Sequence, residues 1–363
     1  MKKIVYINGR FLVQKITGVQ RYAIELTKAL DGMLDNQENN NTITFVLLVP
    51  PGDFNKLSLS NIKVKQLGCL SGHFWEQFEL PILTFGHLLL NFCNTGPIIK
   101  RDQIVTICDA SVFSHPEGYS KLFRWWYICL LPILGMLSRR VITISEFSKA
   151  ELIRYCHIKP EKITVTLLGA PEGFDLKPDA AYLNSCGLGS TPFVLAVSSM
   201  NPNKNFAGLL KSIALLDDVR FQVVIVGGVN SKIFGTNVLH LPDFVKYLGY
   251  VSDSELQQLY AHASCFVYPS FYEGFGLPPL EAMAAGCPVI TSNVASLPEV
   301  CGSAVLYCDP TQPSDIASKI NLMMSNSSLR GEMRDRGFKR IKQFTWDKCA
   351  LETYNVIKST VFK

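Results

Sequence analysis

The sequence predicts an α/β protein of two Rossmann-like domains, each a parallel sheet with helices on its faces, set on either side of a central cleft. Three observations carry this. The chain has 363 residues, more than one hydrophobic core usually organises. Short apolar runs rich in Val and Ile alternate with helix-periodic stretches from end to end, the pattern of a parallel sheet with crossover helices. Between the halves lies 169–192, rich in Gly, Pro, Asp and Ser, which reads as a linker.

The first half opens on the strand-like run Ile4-Val-Tyr-Ile-Asn. Further strands are predicted at 44–49, 104–107 and 140–144, and helices at 19–31, 73–90 and 147–155. The polar stretch 36–42 reads as a surface excursion. In the second half, strands are predicted at 193–199, 221–226, 265–268 and 289–291. Helices are predicted at 206–216, 253–263, 279–285 and 313–326, the third stopped by Gly286 and Pro288. A last amphipathic helix covers 345–362, after the polar stretch 330–342. The domains are therefore placed at 1–175 and 185–344.

Composition narrows the function. Hydrophobic residues make 48% of the chain and charged ones 18%, as in a well-buried globular protein. A net charge of +5 without long Lys/Arg blocks argues against a nucleic-acid partner. It suits anionic ligands, or weak attraction to an acidic membrane surface. The closest of the 11 cysteines, Cys301 and Cys308, are seven positions apart. That is not zinc-site spacing, and thiols scattered through apolar segments read as buried and reduced, which predicts a cytoplasmic location. Met1-Lys-Lys runs straight into a strand, which predicts a chain without a leader. The longest apolar run, 125–137, is too short to span a bilayer. Lys121, Arg124, Arg139 and Arg140 flank it. It reads either as a buried helix of the first domain or as a patch resting on lipid head groups, with Trp125 and Trp126 as anchors.

The densest chemistry lies in Glu273-Gly-Phe-Gly-Leu-Pro-Pro-Leu-Glu281. A strand precedes it and a helix follows, so it occupies the carboxyl edge of a sheet, where α/β folds build anion sites. An ionised carboxylate accepts two sugar hydroxyls at once, so two glutamates in such a turn suit a hydroxyl-rich ligand. Pro278 and Pro279 fit the first helical positions. The N–H groups offered to a ligand are then those of Phe275, Gly276, Leu277 and Leu280. Taken alone, Glu281 could instead be a carboxylate favoured by the helix start.

Lys204 sits in Asn201-Pro-Asn-Lys-Asn205, between a strand and a helix that Asn205 can cap. A point charge beside backbone donors suits a diphosphate; a solvated loop lysine is the plainer alternative. Val226-Gly-Gly228 ends a strand and Lys246-Tyr-Leu-Gly-Tyr-Val251 leads to another helix; such glycines either make turns or let backbone groups approach a base. In the first domain, Thr17-Gly18-Val-Gln-Arg21-Tyr22 opens a helix as a counterpart anion site. Cys108 and Asp109 end a strand and are expected to point into the cleft, although Asp109 before Ala-Ser also fits an ordinary helix start. His115 nearby is equally a structural histidine. There is no Asp-x-Asp triplet to bridge a metal to a diphosphate, so neither metal nor cofactor is expected.

These motifs together resemble the GT-B-fold retaining glycosyltransferases of family 4, the "glycosyl transferases group 1" set. The likeness runs nearly end to end, through Gly18-Val-Gln-Arg-Tyr, 141–149, 202–205, 247–251, 269–289 and Asn293-Val-Ala-Ser-Leu-Pro-Glu-Val. It implies a nucleotide diphosphate sugar as donor. Glu273 would hold sugar hydroxyls, Gly274, Phe275, Gly276 and Leu277 would line sugar and diphosphate, and Glu281 would hold the ribose. Lys204 would neutralise the leaving diphosphate, with Gly18 also on the donor. Tyr250 and Val251 would lie beside the base. Arg21, Cys108 and Asp109 would fall on the acceptor side, with Asp109 counted as catalytic beside Glu273 and Lys204. The helix 345–363 would cross back onto the first domain. Two positions depart from the family pattern: Cys108-Asp109 stands where relatives carry His-Asp, and Ser198 and Asn203 stand where many carry arginine.

The resemblance implies sugar transfer with retained configuration, the leaving phosphate helping to remove the acceptor proton. A sugar-hydroxyl role suits Glu273 better than that of a covalent nucleophile. GDP-mannose is the first expectation for the donor, with UDP-hexoses and dTDP-rhamnose open. A lipid-linked oligosaccharide of bacterial surface polysaccharide such as O-antigen is the expected acceptor, at the inner face of the cell membrane. Two other readings remain: a sugar-nucleotide epimerase of the same fold, and a non-catalytic nucleotide-sugar-binding subunit.

Overall fold

The computed structural model describes residues 3–35, 42–171, 180–189, 191–197, 201–217, 219–228 and 242–362. Most of the polar loop 36–42, much of the linker 169–192, and Ser198 lie outside them. The chain divides into two compact units: Met1–Gly169 with Phe344–Lys363, and Ala170–Gln343.

The first unit holds seven parallel strands. They are β1 (Lys3–Asn8), β2 (Ile43–Val49), β3 (Lys63–Gln66), β4 (Leu88–Asn91), β5 (Gln103–Thr106), β6 (Arg140–Thr143) and β7 (Ile163–Val165), in the order β3-β2-β1-β4-β5-β6-β7. Their centre is buried on both faces, which is why β2 and β4 are continuous apolar runs rather than alternating ones. The sheet continues into the core through Val105, Ile107 and Val141, which pack with Leu131, Leu134 and Leu152 from the helices Lys121–Leu137 and Glu146–Cys156. The last helix, Trp346–Val361, is capped by Thr345 and packs on the helix Gly18–Asp35; Tyr22 and Trp346 lie 6.3 Å apart, centroid to centroid.

The predicted helix 73–90 is corrected here. Helix runs from Gly72 through a π turn, Trp75–Glu79, and ends at Leu83. Gly86 then turns the chain at positive φ and 88–91 form β4. Three leucines inside a core strand look the same in sequence as a buried helix turn, and only pairing with β1 separates them. β3 was missed because it is a short, exposed edge strand, Lys-Val-Lys-Gln, with a single apolar residue. The helix Lys121–Leu137 is also not a buried helix: Leu130, Leu131, Leu134 and Gly135 face the core while Leu122, Trp125 and Met136 are exposed. Cys69 and Cys129 are exposed too, against the expectation of buried thiols, and all 11 cysteines are free. No helix among the described residues is long and apolar enough to cross a membrane.

The second unit holds six parallel strands: β8 (Phe193–Val197), β9 (Gln222–Val226), β10 (Val245–Gly249), β11 (Cys265–Tyr268), β12 (Val289–Ser292) and β13 (Leu306–Cys308), in the order β10-β9-β8-β11-β12-β13. Val194, Val223, Val267 and Ile290 from the sheet pack against Leu209, Ile316 and Ile320 from the helices Phe206–Ile213 and Pro313–Ser325. β10 and β13, both peripheral, were not foreseen. The strand order reverses between β8 and β11, and in open parallel sheets this reversal leaves a crevice at the carboxyl edge.

Candidate functional site

The reversal between β8 and β11 is where the charged residues gather. The two strands pair in register, with Phe266 opposite Leu195 and Val267 opposite Ala196. Their following loops leave the sheet together and are tied by the Phe271 amide, which donates to the Asn203 carbonyl at 2.8 Å. The loop after β8 forms a short 3-10 turn, Pro202–Lys204, whose Asn201 side chain accepts from the Asn203 amide. Asn205 then takes a left-handed φ of 54° and caps the helix Phe206–Ile213 by accepting from Gly208. Its side-chain amide also donates to the carbonyls of Pro269 and Pro310, at 3.0 and 2.7 Å. The lysine one residue before it is thus held by a rigid frame.

Lys204 Nζ donates to Glu273 Oε1 at 2.7 Å and to the Tyr268 hydroxyl at 2.6 Å. It also lies 5.2 Å from the centre of the Tyr268 ring, a cation–π distance. The side chains of Lys204 and Glu273 keep 26% and 11% of their exposure, so the pair is screened from solvent yet open to a ligand. Tyr268 closes β11 and is buried. Burial, and then the charge of Glu273, push its hydroxyl well above the usual phenol range, so at neutral pH it stays protonated. Sequence reasoning missed Tyr268. The signal available was a polar-tipped aromatic ending a strand five positions before Glu273.

Beyond Glu273 the chain turns through buried Gly274 and Phe275 to Gly276, which stands at the head of the helix Leu277–Ala284 without a side-chain cap. Gly276 has φ of 111°, and a Cβ there would come within 2.8 Å of Leu297 Cδ2. Only glycine fits this turn. Ser296 clamps it from the next loop, donating to the carbonyls of Glu273 and Phe275, both at 2.8 Å. Glu281 is half-buried and lies past the first helical turn, one position further along than a helix-start role requires. Gly286 ends the helix at positive φ, as the sequence indicated.

Tyr250 and Val251 follow β10 at the same carboxyl edge, on the β9 side of the reversal. Tyr250 is 82% exposed, and Gly227 and Gly249 beside it are joined by an N–H···O bond of 2.7 Å. Among the described residues no cluster of His, Cys, Asp and Glu is built to hold a metal ion.

Gly18, Arg21, Cys108 and Asp109 belong to the first unit. Gly18 opens the helix Gly18–Asp35 and is exposed, and Arg21 is half-buried. The expectation that Cys108 is accessible is corrected. It is buried, its amide donates to Asn94 Oδ1 at 2.6 Å, and burial reinforced by the charge of Asp109 pushes its thiol well above the ordinary range. It is a neutral packing group. Asp109 accepts from the Ser111 amide and hydroxyl at 2.8 and 2.5 Å, and that hydroxyl meets the Tyr119 hydroxyl at 2.6 Å. Asp109 is half-buried and stands just before Ala110, the N-cap of the short helix Ser111–Ser114. His115 rests on the Ser114 hydroxyl at 3.2 Å.

The family model "Glycosyl transferases group 1" matches residues 187–340, the span that contains Lys204, Glu273 and Glu281. Nearly the whole chain is similar to O-antigen chain mannosyltransferase B of Escherichia coli, 32% identical over 94% of this chain and 96% of that one. The chain belongs to the glycosyl transferases group 1. O-antigen chain mannosyltransferase RfbU of Salmonella typhimurium is also similar, 25% identical over 84% of this chain and 86% of its own. Among solved structures, sucrose-phosphate synthase from Thermosynechococcus elongatus superposes with a TM-score of 0.76 at 19% identity, covering 99% of each chain. Its fold, GT-B, is the fold of this glycosyltransferase.

Proposed function

We propose that this glycosyltransferase moves mannose from GDP-mannose to a hydroxyl of a lipid-linked oligosaccharide in bacterial O-antigen assembly, with retention of configuration and without a metal. It would act at the cytoplasmic face of the membrane as a peripheral protein. The observation that carries the reading is the Lys204–Glu273 pair at the β8/β11 reversal, beside the Gly276 turn. Support for mannose comes from the two O-antigen mannosyltransferases that resemble the chain.

In this reading the donor diphosphate draws the Lys204 ammonium toward itself, and Glu273 is released to accept sugar hydroxyls. Glu281 takes the ribose, and Tyr250 and Val251 flank the base. The bond from the anomeric carbon to the diphosphate oxygen breaks as the bond to the acceptor oxygen forms. The acceptor proton passes to the leaving phosphate. Lys204 and the backbone N–H groups of the Gly274–Leu277 turn stabilise the charge that grows there, the main contribution the protein makes. With Cys108 buried and neutral, the first unit supplies no acid or base at that position.

The test is a donor panel, GDP-mannose, UDP-hexoses and dTDP-rhamnose, offered with lipid-linked acceptors in the presence of a chelator. Expected is an α-linked product from GDP-mannose alone, identified by its anomeric NMR signal. Conversion of a donor without any acceptor favours the epimerase instead. Donor binding with no transfer to any acceptor favours the binding subunit.

A further inference from the structure

The helix Lys121–Leu137 has two apolar faces, and its core-facing residues account for only one. On the other, Leu122, Trp125, Cys129, Ile133 and Met136 recur at spacings of three and four, which is one stripe along a helix. Leu122 is 76% exposed, Trp125 62% and Met136 71%. A second stripe runs along the segment Gly72–Leu83 and its following turn: Phe74, Phe78, Ile82 and Phe85, of which Phe85 is 86% exposed. The two segments adjoin, because the His73 and Trp126 rings meet edge to face at 5.7 Å. The exposed Ile99 borders the second stripe, since the neighbouring Ile98 amide donates to Gln77 at 3.0 Å. Isolated exposed apolar residues are ordinary; a continuous field of this kind marks an interaction surface.

Charge selects the occupant. The helix Lys121–Leu137 contains Lys121 and Arg124 and no acid. Arg101 is exposed beyond Ile99. Most acids nearby are engaged: Glu76 is buried, Glu79 accepts from the Cys69 and Leu70 amides, and Asp102 pairs with Arg139 at 3.0 Å, while the exposed Glu117 ahead of the helix is outnumbered by the cations. We infer that this two-stripe face docks the first unit on an anionic lipid surface, the aromatic and aliphatic side chains entering among the acyl chains while Lys121, Arg124 and Arg101 stay at the head groups. Side chains that stand out singly suit a surface that yields around them, and Trp beside Lys and Arg suits the interface between water and lipid. A second copy of the chain would set the same cations against themselves. The inference rests on the peripheral location proposed above and gives it a definite surface.

The full chain is sedimented with vesicles of phosphatidylcholine, and of phosphatidylcholine with phosphatidylglycerol. Binding is expected to the anionic vesicles, to fall steeply with added salt, and to drop about ten-fold for Trp125→Ser or Phe78→Ser. Both positions are exposed, so both variants keep the melting temperature and the transfer rate to a water-soluble acceptor. Wild-type protein left in the supernatant of anionic vesicles overturns the inference, as do variants that bind like wild type. So does a concentration-dependent dimer that the same substitutions dissolve. The soluble-acceptor assay reads the transferase reaction separately, so the failure of one leaves the other standing.

Discussion

The ammonium of Lys204 donates to the carboxylate of Glu273 across 2.7 Å, joining the loop after β8 to the loop after β11. Each charge thereby satisfies the other; in the proposed reading the donor diphosphate would compete for the lysine. Exchange of partners, rather than exposure of bare charges, would then prepare this site. A partly buried pair is costly to break from one side only, because the remaining charge keeps its desolvation without its partner.

Lys204→Ala and Glu273→Ala are each expected to lower kcat by about 100-fold or more, the scale of removing one preorganised donor from a transition state. Steady-state rates with donor and acceptor varied separately measure this. Near-full transfer in both variants rejects the assignment.

Tyr268→Phe keeps the ring beneath Lys204 and removes the hydroxyl at 2.6 Å. The loss of one hydrogen bond to a charged group lowers stability by about 1.5–3 kcal/mol. With the ammonium held by Glu273 alone, kcat should fall several-fold while the donor KM changes little. A larger effect on KM than on kcat would assign Tyr268 to ground-state binding instead.

Gly276→Ala places a Cβ 2.8 Å from Leu297 Cδ2 at a φ of 111°. The strain should cost about 1–3 kcal/mol. It should also distort the turn that carries Phe275 and Leu277. Urea denaturation and donor titration are expected to show both losses together; a variant with wild-type stability and donor affinity contradicts the tight turn.

Glu76 gives a pH prediction. Burial alone would raise its pKa, but His73 at 3.4 Å, Arg10 at 3.2 Å, and the hydrogen bonds from Asn8 and Thr95 outweigh this and hold it below the usual 4.5. The folded value lies below the unfolded one, so the contribution is complete above about pH 4.5 and is lost as the pH falls through the folded value. Glu76→Gln should destabilise the protein at pH 7 by about 3 kcal/mol. It should also flatten the decline of stability in acid. Melting temperatures of both proteins between pH 3 and pH 7 decide it: parallel curves would remove Glu76 from the acid response.

Much of the site was legible in the residues because local rules write it. Gly276 before Leu277-Pro-Pro specifies a left-handed turn and a helix start, Asn205 specifies a cap, and the Val- and Ile-rich runs specify core strands. These depend on backbone sterics and on side chains reaching only a few residues along the chain. Tyr268, the burial of Cys108 and the strand 88–91 were not legible. Each is decided by a partner far along the chain: Lys204 for the tyrosine, Asn94 and the packed core for the cysteine, β1 for the strand.

By itself, then, the sequence determined two parallel α/β domains, the Glu273–Glu281 turn and the family, since apolar periodicity and turn chemistry act over short spans. The tertiary structure alone decided that Lys204 and Glu273 hold each other, that Tyr268 completes their site, and that the helix Lys121–Leu137 keeps an apolar face outside the core. Such contacts depend on which strands become neighbours, and strand order is a property of the whole sheet.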